Sequence, residues 1–177
     1  MLDDAAIERY SRQILLPEVG GRGQERLCAA SAIVTGSGAA AAWAASLLRA
    51  AGMRVVCEDG PAGRLTTRIG AITVAGRTDG SRAVVATLVG RPCPECVPAT
   101  IWHTGDVLVA DDQGPAPRVG VDASAQAFGA LIAAESVRAA LGLATTGRVH
   151  AFDLAGGTFA ARTIPATGGC AACMVPA

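Results

Sequence analysis

The chain has 177 residues, of which 51% are hydrophobic, so it can bury a sizeable core. Its 15 basic and 15 acidic residues cancel, which leaves no global field to attract nucleic acid or an anionic membrane. Every basic residue is arginine, and the absence of lysine excludes any mechanism in which this chain uses a lysine to hold a phosphate or form a Schiff base.

The pattern of apolar residues and turn residues predicts an α/β protein. In chain order we expect two helices within 4–28, a strand at 31–35, a helix at 39–51 capped by Gly52, a strand at 54–59, a connector at 60–69, a hairpin of 71–75 with 83–89, an irregular loop at 97–120, a helix at 123–143 and a hairpin of 148–152 with 158–164. The first strand, helix and second strand form a unit whose two strands should be parallel, with a right-handed crossover.

We therefore predict a single domain, 1–177, built on a reduced Rossmann-like sheet with flanking helices. Residues 1–60 would hold the N-terminal helices and the strand–helix–strand unit. Residues 61–177 would hold a shortened, antiparallel remainder. No stretch is long and apolar enough to cross a bilayer, and the first residues are acidic where a signal peptide is basic, so we expect a cytoplasmic protein.

A glycine-rich turn, Gly36-x-Gly38-x-x-Ala41, follows the first strand and opens the next helix. Asp59 closes the second strand, at about the distance from the turn at which a carboxylate reaches a ribose hydroxyl. In this context the pattern is typical of a nucleotide site, because the free N–H groups of the helix N-terminus face a bound phosphate. The alternative is a tight turn without a ligand, with Asp59 as a solvated acid at the end of a strand.

Two Cys-x-x-Cys pairs lie far apart in the sequence: Cys93 with Cys96, and Cys170 with Cys173. Four thiolates in two such knuckles form the closed tetrahedral shell of a structural zinc ion, which stabilises a fold and leaves no position open for catalysis. Two local redox pairs, disulfides or buried free thiols are the alternatives. Two further cysteines, Cys28 and Cys57, lie in apolar runs and are expected in the core. His150 is expected to be structural.

The chain resembles the ThiF/MoeB/HesA family, relatives of the ubiquitin-activating enzymes. The resemblance is carried by the segments Arg9-Tyr-Ser-Arg-Gln-Ile-Leu-Leu-Pro-Glu-Val-Gly-Gly-Arg-Gly-Gln-Glu-Arg-Leu27, Ala32-Ile-Val-Thr-Gly-Ser-Gly38, Gly90-Arg-Pro-Cys-Pro-Glu-Cys96, Gly120-Val-Asp-Ala-Ser-Ala-Gln126, Gly147-Arg-Val-His-Ala-Phe-Asp153 and Gly169-Cys-Ala-Ala-Cys173. These segments occur in the family's order and cover most of the chain.

The resemblance implies a Rossmann-like fold that binds Mg-ATP and adenylates the C-terminal glycine of a ubiquitin-like or sulfur-carrier protein, usually as a dimer. By position, Gly36 and Gly38 would match the phosphate loop, and Asp59 would match the acid that holds the ribose. Arg12 would match the arginine that reaches the nucleotide of a partner subunit. The cysteines of the two knuckles would match the zinc ligands.

Departures from the family's pattern indicate that the chemistry is lost. Ala39 and Ala41 replace two glycines of the phosphate loop, and each adds a methyl group where backbone approaches phosphate. The family's long segment after the ribose acid, with its triphosphate-binding lysine and magnesium aspartate, has no counterpart here. Arg64 or Arg68 would supply one positive charge but would not rebuild the clamp. Ala110 stands at the position nearest to the cysteine nucleophile of some members.

The sequence thus favours a non-catalytic scaffold or partner subunit that acts with a carrier protein or an active paralogue, as a homodimer or heterodimer. A minimal adenylyltransferase and a nucleotide-binding regulator are the alternatives. Both need Mg-ATP or a related nucleotide at Gly36, Gly38 and Asp59, whereas the scaffold does not.

Overall fold

The computed structural model describes residues 1–90, residue 97 and residues 121–164. The irregular loop predicted at 97–120 and the four knuckle cysteines lie outside these residues, apart from Val97. The helices described are α1 (Asp4–Ile14), α2 (Gly20–Ala29), α3 (Gly38–Ala50) and α4 (Val121–Ala140). The strands are β1 (Ser31–Gly36), β2 (Arg54–Glu58), β3 (Arg64–Ile69), β4 (Ile72–Asp79), β5 (Arg82–Val89), β6 (Arg148–Asp153) and β7 (Thr158–Thr163).

The two N-terminal helices confirm the helical spacing of residues 4–28. The side chain of Asp3 caps α1 by accepting a hydrogen bond of 2.8 Å from the N–H of Ala6. The sequence pattern predicts a break at 17–21 and a second helix from about Gln24 to Ala29, but α2 begins four residues earlier, at Gly20. The glycines at 20 and 21 therefore open the second helix.

The predicted strand–helix–strand unit is confirmed. Strands β1 and β2 are parallel, with Ser31 opposite Arg54 and Thr35 opposite Glu58, and α3 crosses between them. Gly52 follows the end of α3 and has a φ of +104°. A Cβ atom at this position would lie 2.9 Å from the side chain of Gln24. Glycine is therefore required there both by the backbone angle and by the close approach of α2.

Residues 64–69 are a strand, so the prediction of a simple connector at 60–69 is wrong. Strand β3 is antiparallel to β1 on one side and to β4 on the other. Its buried residues alternate, at Leu65, Thr67 and Ile69, as they do in any strand with one covered face. Two threonines and two arginines hide this alternation in the sequence.

Two hairpins complete the sheet as predicted. Strands β4 and β5 pair across Gly80 and Ser81, and β6 and β7 pair around Gly156 and Gly157. Within the described residues, the sheet has seven strands in the order β2-β1-β3-β4-β5-β6-β7, of which only β1 and β2 are parallel to each other. The chain is thus a mixed α/β protein whose remainder after β2 is antiparallel, as expected.

Helices α2, α3 and α4 cover one face of the sheet and enclose the main core. Phe128 of α4 packs on Gly76 of β4, where a Cβ atom would lie 2.6 Å from its ring. Gly129 brings α4 so close to α3 that a Cβ atom would lie 2.5 Å from the carbonyl oxygen of Ala40. On the opposite face a smaller apolar cluster covers the last three strands. It contains Val84, Ala86, Leu88, Val97, Val149 and Ala151, with Ala160 and Ile164 partly buried beside it.

Among the residues described, no helix has both the length and the apolar character needed to cross a membrane.

Gly129→Ala should destabilise the protein, because the new methyl group meets the backbone of α3 and must push the two helices apart. We expect a loss of about 1–3 kcal/mol in the free energy of unfolding, despite the better helix propensity of alanine. Gly21→Ala is the matched control, since nothing lies within 4 Å of its Cβ position. It should be neutral or stabilise α2 by up to about 1 kcal/mol. Urea denaturation measures both, and equal effects would contradict the close packing of α3 on α4.

Candidate functional site

The glycine turn joins the carboxyl end of β1 to the amino end of α3. Gly38 begins the helix with a φ of +73°, and no other atom lies within 4 Å of its Cβ position. Ser37 precedes it in extended conformation, and its side chain makes no capping hydrogen bond. The N–H groups of the first turn of α3 are therefore left to solvent or to a ligand.

Gly36 is a glycine because β3 packs against it. A Cβ atom there would lie 2.8 Å from Cδ1 of Leu65 and 3.0 Å from the carbonyl oxygen of Arg64. The loop after β2 presses on the same residue: a Cβ atom on Gly60 would lie 2.9 Å from the Cα and N atoms of Gly36. The requirement for glycine at position 36 thus comes from the chain's own backbone, and it needs no phosphate to explain it.

Asp59, the predicted ribose acid, is exposed just beyond the end of β2 and has no hydrogen-bond or ion-pair partner among the described residues. Its neighbour Glu58 is the better-anchored carboxylate. Oε2 of Glu58 accepts a hydrogen bond of 3.0 Å from Thr35 and lies 3.8 Å from Nη2 of Arg68. Glu58 could not be singled out from the sequence, because its contacts depend on the register that places it opposite Thr35.

Arg64 and Arg68, the two arginines that could supply a positive charge to a bound triphosphate, lie in different surroundings. Arg68 is paired with Glu58, so its charge is partly compensated. Arg64 begins β3 beside the glycine turn and lies directly opposite Arg77 of β4. Burial and then the charge of Arg64 lower the pKa of Arg77. Like charges placed opposite each other on neighbouring strands destabilise a sheet.

Arg12 lies far from the glycine turn of its own chain. It is exposed in the last turn of α1, next to Gln13, whose side chain donates a hydrogen bond of 3.2 Å to the carbonyl of Ala50. Ala50 is the last residue of α3, so this contact is one helix length, about 20 Å at 1.5 Å per residue, from Gly38. The structure packs Gly60, the neighbour of Asp59, on Gly36, whereas Arg12 lies towards the opposite end of α3.

The metal site predicted from Cys93, Cys96, Cys170 and Cys173 involves only residues outside those described. Within the described ranges, no group of three or more metal-binding side chains occurs. Two described residues bear on the knuckles. Val97, next to Cys96, and Ile164, six positions before Cys170, belong to the same apolar cluster on the open face of the sheet.

Cys57 is exposed, which corrects the expectation that it lies in the core. It faces α3 from the edge strand β2, where Nη2 of Arg49 lies 3.4 Å from its sulfur. Cys28 is partly buried and lies 3.6 Å from the side-chain nitrogen of Gln24. Edge position, which the sequence does not reveal, accounts for the exposure of Cys57.

A buried polar cluster lies between α4 and the sheet. Oε2 of Glu135 accepts a hydrogen bond of 2.8 Å from Thr87, and Oε1 lies 3.3 Å from Nε2 of His150 and 3.4 Å from Nε of Arg138. Nε of Arg148 lies 2.9 Å from Nε2 of His150, and Nδ1 of His150 has no hydrogen-bond partner among the described residues. Both His150 and Glu135 are only 4% exposed, as a structural role for His150 requires.

The βαβ unit thus places its glycine turn at the carboxyl end of β1, with the antiparallel β3 directly beside that strand. A stretch of 47 residues, 27% of the chain, is 55% identical to the mouse (Mus musculus) adenylyltransferase and sulfurtransferase MOCS3. The bovine (Bos taurus) protein of that name is 51% identical over 47 residues. These stretches span 10% of the length of the curated relatives. No protein-family model matches the chain.

The comparisons agree in part with the resemblance to the adenylating family. A local likeness to an adenylyltransferase is present, but it extends over a small part of this chain and of the relatives. The activity of the whole relative therefore does not transfer to this protein without further argument.

Protonating His150 should destabilise the fold. Burial, the largest effect, lowers its pKa below the usual 6.5, against the opposing charge of Glu135, while Arg148 and Arg138 lower it further. Since the unfolded chain then binds the proton more tightly, the free energy of unfolding should decrease as the pH falls through about 6.5. Urea denaturation at a series of pH values measures this slope.

His150→Gln removes the titrating group and should flatten that part of the pH profile. The comparison is best made in a His103→Gln background, because His103 is the chain's other histidine. An unchanged slope after His150→Gln would contradict the assignment.

Proposed function

We propose that this protein is a ThiF/MoeB-like scaffold or partner subunit that has lost the adenylation chemistry. It would act together with a ubiquitin-like or sulfur-carrier protein, or with an active paralogue. The partial likeness to an adenylyltransferase supports the relationship. The surroundings of the glycine turn support the loss of catalysis.

The observation that carries the proposal is the short return from Asp59 to β3. Four residues, 60–63, separate Asp59 from Arg64, and within them Gly60 packs on Gly36. Strand β3 then occupies the position beside β1. An enzyme that transfers an adenylyl group must orient a triphosphate and its metal ion, and most of its rate acceleration comes from that positioning and from charge stabilisation. The chain has no lysine for this task, and Arg68 already faces Glu58.

Arg12 fits a role in trans better than a role at its own glycine turn. It is exposed on α1, at the far end of α3 from Gly38, so a contact with nucleotide would have to be made in another subunit. We therefore keep Arg12 as a residue offered to a partner's site. The alternative is a solvated side chain that stabilises the C-terminus of α1 through the helix dipole.

One observation favours an alternative, a minimal adenylyltransferase or a nucleotide-binding regulator. The amino end of α3 is open at Gly38, and the exposed Asp59 directly precedes Gly60, which packs on Gly36. An adenine nucleotide could bind there through its phosphates and ribose without a complete clamp. The adenylyltransferase would release pyrophosphate when a carrier protein is present, and the regulator would not.

Calorimetric titration with Mg-ATP tests the proposal. We expect no heat of binding at millimolar nucleotide, because Gly60 and β3 leave no complete triphosphate site. One-site binding that Asp59→Asn weakens at least tenfold would contradict the scaffold and favour the alternatives. A carrier-dependent release of pyrophosphate would then identify the enzyme.

We also propose that Cys93, Cys96, Cys170 and Cys173 hold one structural zinc ion. Two features support this. The thiolate donors are those that zinc prefers. In addition, Val97, next to Cys96, and Ile164, six residues before Cys170, lie in one apolar cluster on the same face of the sheet. Six residues of extended chain span about 20 Å, enough for Cys170 to approach Cys96 from Ile164. The ion would link the two segments and take no part in chemistry.

Cys93→Ser should remove the zinc and lower the melting temperature markedly, because binding of a structural zinc is coupled to folding. Cys57→Ser is the matched control: this cysteine is exposed on β2 and outside the knuckles, so zinc content and melting temperature should not change. Elemental analysis and thermal denaturation provide the two measurements. Full retention of zinc in Cys93→Ser would show that the four cysteines do not form a closed site.

A further inference from the structure

Strand β2 forms one edge of the sheet. It pairs with β1 on one side, and within the described residues nothing pairs with the other side. The N–H of Arg54 bonds to the carbonyl of Ala30 on the β1 side. The N–H and C=O groups of one strand residue point to the same side. Those of Arg54, Val56 and Glu58 therefore face β1 and form the hydrogen bonds to it. The peptide groups of Val55 and Cys57 therefore face outward, as the approach of Arg49 to the carbonyl of Val55 at 3.3 Å also indicates.

This edge is complementary to itself. Its sequence is Arg54-Val-Val-Cys-Glu58. When two copies are placed antiparallel with Val56 at the centre, Arg54 of each lies opposite Glu58 of the other. Val55 lies opposite Cys57, and these are the residues whose peptide groups face outward, so their N–H and C=O groups can bond across the edge.

The side chains match as well as the backbone. Arg54, Val56 and Glu58 all project from the face of the sheet that lies away from α3, so both charge pairs and the central valine contact would form on one face. Val56 is 60% exposed, the highest exposure of any large hydrophobic residue of the described strands except Phe159. At the central pair the two valine side chains approach most closely, because that pair lies between hydrogen-bonded pairs.

The two charged residues retain capacity for a second partner. Arg54 donates to Ser31 from Nε and to Ala29 from Nη2, which uses two of its five N–H groups. Glu58 binds Thr35 and Arg68 through Oε2, and its Oε1 has no partner among the described residues.

We propose that a second copy of this chain pairs with β2 in antiparallel register about Val56, joining the two seven-stranded sheets into one across a two-fold axis. The proposal is independent of whether the glycine turn binds nucleotide. It commits to a homodimer because the same five residues supply both halves of the charge pairing, as an isologous interface requires.

Arg49 limits the strength of this dimer. Its guanidinium lies against the carbonyl of Val55 and the sulfur of Cys57, both on the outer edge, as charged groups often protect an exposed strand. A carbonyl oxygen can accept two hydrogen bonds, so Arg49 must share Val55 with the partner or move aside. Together with the short strand, which buries a small area, this predicts a weak, concentration-dependent dimer.

Analytical ultracentrifugation of the zinc-loaded chain at low salt measures self-association, and variants that exchange the charges at positions 54 and 58 test the register. Arg54→Glu and Glu58→Arg each place like charges opposite each other at two positions and should weaken self-association at least tenfold. An equimolar mixture of the two variants restores both opposite-charge pairs and should form heterodimers, and the double exchange should again form homodimers. Arg49→Ala should strengthen association. Circular dichroism confirms that each variant is folded.

A monomer at all concentrations up to the millimolar range, or a dimer that neither single exchange weakens, would overturn the proposal. Disulfide trapping gives a second test that does not depend on charge. Val56→Cys in a Cys57→Ser background should cross-link two copies, since central pairs of this type have Cα atoms about 4.5 Å apart. Arg54→Cys in the same background is the control, because its two copies would be about 14 Å apart. Equal trapping of both, or of neither, would exclude this register.

Discussion

The pairing of β3 with β1 is the interaction on which the rest of this structure depends. It sets Leu65 against Gly36 and brings the loop at Gly60 onto the same glycine. From that strand onward each new strand pairs antiparallel to the one before it, and the sheet extends to β7 in one direction only. At the carboxyl end of β1, the chain's own backbone therefore packs directly against Gly36.

The same pairing bears on how the glycine pattern of the turn is interpreted. Glycine at position 36 is sterically required whether or not a phosphate binds, since β3 leaves no room for a side chain. Gly38 keeps its positive φ because it opens α3. Asp59 extends into solvent with no partner among the described residues. A glycine pattern alone therefore does not distinguish a ligand site from a tight packing contact, and the neighbouring strand must be known before the pattern is interpreted.

Growth of the sheet in one direction also leaves β2 at an edge, where the peptide groups of Val55 and Cys57 face outward. Arg49 shields part of that edge, and the alternation of Arg54 and Glu58 restricts which strand can join it. The buried polar residues differ from this edge: beneath α4, Glu135 accepts a hydrogen bond from Thr87 and lies beside His150, where an unpaired charge would be costly. The polar cluster at Glu135 and His150 is thus isolated from solvent, whereas Arg54 and Glu58 at the edge of the sheet are exposed.

The sequence by itself determined the α/β class, the parallel β1–α3–β2 unit, both hairpins and the long α4, because each depends on local periodicity and turn residues. It also determined that no lysine is available for catalysis. Tertiary structure decided what local patterns cannot encode. The strand at 64–69, the exposure of Cys57 and the pairing of Glu58 with Thr35 all follow from which strands are neighbours and in what register. Neighbours and register are set by packing between distant segments, so these features became visible only in the folded chain.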